Sequence, residues 1–164
     1  MEKFVKVIII IILSLLCLIL QMYVLDKLPF MGVRANILLT FCVVLAIWQK
    51  PNISIPVSVA IGLVSDMIFT FSIGKYLITY VVLTIITITM SNFYNKENRG
   101  ATILIILITT ILAEYILGIH SLIKYGTFAN VFSIAIVGIK GALVNVVLGA
   151  LLSKIVKKID SKEK

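Results

Sequence analysis

From Val7 to Leu20 the chain passes without one charged residue, and comparable apolar runs recur five more times before the end. A water-soluble domain cannot bury that much apolar surface, whereas a lipid bilayer solvates it directly. Of the 164 residues 61% are hydrophobic and 13% charged, against roughly 45–50% apolar in ordinary soluble domains. The chain is therefore expected to be an all-α, polytopic membrane protein, and residues 1–164 to form a single integral membrane domain. Nothing is left over for a catalytic domain in water.

Six spans are expected, at about 5–24, 36–48, 53–71, 75–90, 101–119 and 128–152, with a basic tail over 153–164. The first follows a basic start but lacks a small-residue cleavage pattern after Leu20, and so reads as an uncleaved span. The second is short, about 24 Å even when extended back to Val33, against ~30 Å of hydrocarbon. Two readings of it stand: an irregular or re-entrant element packed among other helices, or a span whose ends are held by a snorkelling Arg34 and an interfacial Trp48. Pro56 is placed in the first turn of the third span, and Gly74 at the turn into the fourth. Loops are expected over Ser91–Gly100 and His120–Thr127, and the tail is expected to prolong the last helix.

Six spans put both termini on one side. Lys3, Lys6, Lys50, Lys96, Arg99, Lys154, Lys157, Lys158, Lys162 and Lys164 then face that side, against Lys27, Arg34, Lys75 and Lys124 on the other. The positive-inside rule makes the basic side cytoplasmic. The net charge of +8 is thereby explained by topology, and nucleic-acid binding is not expected. Cys17 and Cys42 stand singly in apolar runs and are read as buried thiols.

Charged groups inside spans are expensive and are functional candidates by default. Asp66 and Glu114 each fall about five residues below the outer end of an outward-running span, hence at a shared depth, and Lys140 falls at the middle of the last span. These three form the expected intramembrane polar cluster, with Glu114 the expected partner of Lys140. One reading is a proton or ion relay, or a polar floor beneath an outward cavity; the other is an ion pair or hydrogen-bond cluster that fixes helix register. On the last span Gly138, Gly141, Asn145 and Gly149 form small or polar stripes, suited either to packing within the domain or to docking a membrane partner. His120 has no ligand-spaced companion, so neither metal nor cofactor is expected, and no nucleophile–base pair or phosphate loop points to an enzyme.

Three motifs occur in order: Arg34-Ala35-Asn36-Ile37-Leu38-Leu39, Gly62-Leu63-Val64-Ser65-Asp66, and Ile73-Gly74-Lys75-Tyr76-Leu77. The chain in this respect resembles the MreD family of bacterial rod shape-determining proteins, with departures at Ala35, where proline is common, and at Ser58, where a further glycine is. The resemblance implies a non-catalytic scaffold or regulator in the bacterial cytoplasmic (inner) membrane. Its implied partners are MreC and, directly or indirectly, MreB filaments and the elongation peptidoglycan synthase complex. The family is also similar in fold to the substrate-binding subunits of energy-coupling-factor transporters, which supplies an alternative function, capture of a vitamin. Those subunits carry an Ala-x-x-x-Ala stripe on the first helix, and the first span here contains no alanine.

Overall fold

The computed structural model describes residues 2–27, 35–70, 74–94, 98–125 and 131–161. Among them the chain is entirely helical: α1 (Glu2–Leu20, running on as a π-helical turn over Gln21–Leu25), α2 (Ile37–Trp48), α3 (Pro51–Phe69), α4 (Lys75–Phe93), α5 (Arg99–Tyr125) and α6 (Val131–Ser161). Five of these helices are long and apolar enough to cross a membrane, and α2 is a shorter apolar helix. The protein is an integral membrane protein.

The short helix occupies the middle. Every residue of α2 from Ile37 to Ile47 is buried, and α2 touches all five other helices. A helix apolar on every face has no preferred outer side, and this one is enclosed by protein. The second segment is thus a regular helix inside the bundle. About 18 Å of helix cannot match ~30 Å of hydrocarbon, so at least one of its ends lies at membrane depth, where unpaired backbone groups are costly.

α1 carries the long apolar run Val7–Leu20 but lies at the periphery. It turns one stripe inward, with Ile10, Cys17 and Leu25 buried, and leaves Ile8, Ile12, Leu15 and Ile19 exposed. Cys17 and Cys42 are both buried free thiols. α2 and α6 run parallel: Asn36 meets Asn145, Thr40 lies against Gly149 and Trp48 lies under Lys157, at the same sequence offset each time. α5 and α6 are antiparallel, with Ile106 beside Gly149 and Glu114 beside Gly138. Lys6 joins Asp160 at 3.3 Å, bringing the start of α1 to the finish of α6.

Several boundaries differ from the sequence expectation. α3 begins at Pro51, so Pro51 takes the first-turn position and Pro56 lies within the helix. Pro56 withholds one backbone donor from Asn52, which is exposed and near the helix end. α4 continues to Phe93 and α5 already starts at Arg99, which shortens the loop expected over Ser91–Gly100. α5 runs on through His120 to Tyr125, where a loop was expected. α6 continues without a break to Ser161, so most of the tail is an extension of that helix, as anticipated.

Candidate functional site: two clamped helix starts

The α3–α4 joint is built by three residues, each supplying one requirement. At Gly62 an added Cβ would lie 2.6 Å from the Leu77 Cα, so only glycine lets the first turn of α4 rest on α3. One helical turn further on, at i+4 on the same face, Asp66 is fully buried. Its Oδ2 accepts from the backbone N–H of Gly74 at 2.7 Å and of Leu77 at 3.2 Å, and its Oδ1 from the N–H of Tyr76 at 2.6 Å. Those are donors that a helix start leaves without intrahelical partners, and a carboxylate there also meets the positive end of the α4 dipole. Gly74 enters the helix at φ 120°, a conformation L side chains avoid. Ser58, one turn before Gly62, holds the same pair of helices by a 2.7 Å hydroxyl contact with Thr84.

The start of α2 is clamped from three other helices. Asn36 caps it, its Oδ1 accepting from the Leu39 N–H at 2.9 Å and from the Tyr80 hydroxyl of α4 at 3.1 Å. The Asn36 N–H donates to Asn145 Oδ1 of α6 at 3.0 Å. Gln21, in the π-helical turn of α1, accepts from the Ile37 N–H at 3.0 Å and donates to the Ala35 carbonyl at 3.1 Å and to Asp26 Oδ1 at 2.7 Å. Gln21, Tyr80 and Asn145 are all buried. The wide turn at Gln21 is closed by the Asp26 N–H reaching back five residues, and such turns often mark functional positions in helices.

The expected cluster of Asp66, Glu114 and Lys140 does not form. Asp66 is committed to the α4 backbone, and among the described residues the side chains of Lys6 and Asp160 form an ion pair. Glu114 packs against Gly138, and among the described residues no ion pair joins it to Lys140. Lys140 also falls near one end, not at the middle, of the stretch of α6 apolar enough to cross a membrane, Gly138–Asp160. It lies about 20 residues, or about 30 Å, from Asp160 along α6, a full hydrocarbon thickness from the Lys6–Asp160 end.

Gly138 and Gly149 are turned inward: a Cβ at Gly149 would fall 2.6 Å from Ile106 Cδ1 and 3.1 Å from Thr40 Cγ2, so those side-chain ends would have to move. Asn145 is buried in the α2 clamp and Gly141 is buried on α6. The lipid-facing stripe of α6 is instead Ile136, Ile139, Leu143, Val147 and Leu151. Of the motif residues, Leu63 is exposed on α3, and Arg34 lies outside the described residues. Sequence reasoning missed Gln21 and Tyr80. Gln21 carried a usable signal, being an amide within an apolar run, which must find a hydrogen-bond partner in lipid.

Chemically, these groups hold backbone and do little else. The buried hydroxyls of Thr79, Thr87, Thr109 and Thr110 each donate to the carbonyl four residues back in their own helix. Among the described residues no group of His, Cys, Asp and Glu is placed to hold a metal ion. Comparison with protein-family models, with curated proteins and with solved structures found no match.

Proposed function

We propose that this protein is a non-catalytic membrane scaffold of the bacterial cell-elongation machinery, similar in role to MreD. In this reading it lies in the inner membrane with six spans and both termini cytoplasmic. It binds MreC within the bilayer and links, directly or through MreC, to MreB filaments and the peptidoglycan synthase complex. The observation that carries the reading is the α3–α4 joint. Gly62, Asp66 and Gly74, three of the residues on which the family resemblance rests, meet in one device whose work is to fix two helices against each other. A motif spent on rigid geometry suits a protein that presents a fixed surface to partners. A transport route would instead need polar groups left free for a passenger.

The test is co-purification of the tagged full chain with MreC in mild detergent, beside an Asp66→Ala form. Retention of MreC by the wild type, weakened in the variant, is the expected result. Stable wild-type protein that never retains MreC contradicts the proposal. A tightly bound small molecule in the purified sample would instead favour the substrate-capturing alternative.

A further inference from the structure

Buried polar side-chain atoms in folded proteins almost always have a partner, and a concentration of exceptions points to something that belongs there. Among the described residues five such atoms lack one, and four of them belong to the finish of α2 and the stretch of α6 that runs beside it: Trp48 Nε1, Gln49 Nε2, Gln49 Oε1 and Ser153 Oγ. Gln49 is only 3% exposed, so its whole amide is withdrawn from solvent with nothing to bond. The parallel register of α2 and α6 sets Trp48 beside Lys157 and places Ser153 one turn before that level. Lys157 lies over the Trp48 ring, its ammonium 5.0 Å from the centroid, and Ser153 precedes Lys157 by one turn on the same face of α6.

The chemistry of this set is one-sided. It offers N–H and O–H donors and the Lys157 ammonium, with the Gln49 carbonyl as the one obligate acceptor. Lys50, exposed, adds a second cation at the next residue. Donors converging beside cations recognise an anion with several oxygens, and the position, at the end of the bundle where Lys6 meets Asp160, is where lipid head groups lie. Lys157 is exposed and carries its charge on a flexible stem, so it is the part of the wall that can lift to admit a ligand and then close on it.

The geometry points to a binding site for the phosphate of an anionic phospholipid between the end of α2 and α6, formed by Trp48, Gln49, Ser153 and Lys157. Such a site would seat a lipid head group where the finish of the central helix meets α6. It does not depend on the scaffold reading, since a transporter subunit would carry it equally well.

Trp48 is the single tryptophan of the chain and reports on its own site. The full chain is reconstituted in phosphatidylcholine vesicles containing a minor share of either phosphatidylglycerol or phosphatidylcholine brominated high on the acyl chains, and Trp48 emission is read. Several-fold stronger quenching by the brominated phosphatidylglycerol is expected. Lys157→Gln and Gln49→Leu should abolish that preference. Gln49→Leu removes the unpartnered amide, so its folding is not at risk. Lys154→Gln removes the same charge from an exposed neighbouring position and should leave the preference in place.

Equal quenching by the two lipids, or a preference that survives both site variants or is lost equally in Lys154→Gln, overturns the proposal. A Trp48 response to inorganic phosphate in pure phosphatidylcholine vesicles, without any lipid preference, overturns the lipid as the source of the phosphate.

Discussion

Asp66 is buried, no cation among the described residues pairs with it, and three backbone donors satisfy its carboxylate. Hydrogen bonds to a charged group contribute about 1.5–3 kcal/mol each, and donors left unpaired in a buried place cost about 1–3 kcal/mol. Asp66→Ala should therefore lower stability by at least about 3 kcal/mol, read as a shift in the denaturation midpoint of the detergent-solubilised protein. Asp66→Asn should retain part of that, since its one carbonyl oxygen still accepts while its amide nitrogen faces a donor. Gly62→Ala forces the α4 backbone away from α3 and should cost about 1–3 kcal/mol by overpacking. Gly74→Ala at φ 120° should cost a similar amount through backbone strain, of order 1–3 kcal/mol. An Asp66→Ala protein as stable as the wild type would show that the joint is held elsewhere.

At the scale of the helix, the bundle is organised around α2, whose start is held by Gln21, Asn36, Asn145 and Tyr80. Gln21→Leu removes the acceptor for the Ile37 N–H and the donor to the Ala35 carbonyl, and should cost about 1–3 kcal/mol. Tyr80→Phe removes one hydroxyl bond to Asn36 and should cost about 1 kcal/mol. The double variant measures the coupling of α1 and α4 through the α2 start. Much of this level was legible in the sequence: the membrane class, the places of the helices, the turn at Gly74 and the shortness of the second segment. What hydropathy could not show is which apolar helix faces lipid and which faces protein, because both environments select the same side chains. The run of isoleucines in α1 and the run ILLTFCVVLAIW in α2 read alike, yet one is peripheral and the other central. Asp66, Glu114 and Lys140 were grouped by depth along separate helices. Depth cannot reveal that a carboxylate is already occupied by the backbone of the next helix.

For the whole molecule, the Lys6–Asp160 pair and the parallel α2–α6 register give a bundle whose basic residues gather at one end. Lys6 is buried but Asp160 is well exposed, so solvent screens the pair, which should contribute little, about 0–1 kcal/mol. The orientation proposed from the positive-inside rule is checked by reporter fusions at the two termini, which should both report the cytoplasm; opposite sides for the two fusions would contradict it. Rigidity, in this account, comes from polar side chains that one helix lends to the start of another at membrane depth. Amide hydrogen exchange at Gly74, Tyr76 and Leu77, compared between the wild type and Asp66→Ala in the same membrane mimetic, tests that most directly. Slow exchange at these three amides in the wild type, lost in the variant while the amides in the middle of α5 remain protected, is the expected result. Fast exchange in both proteins, or equal protection in both, would contradict the account.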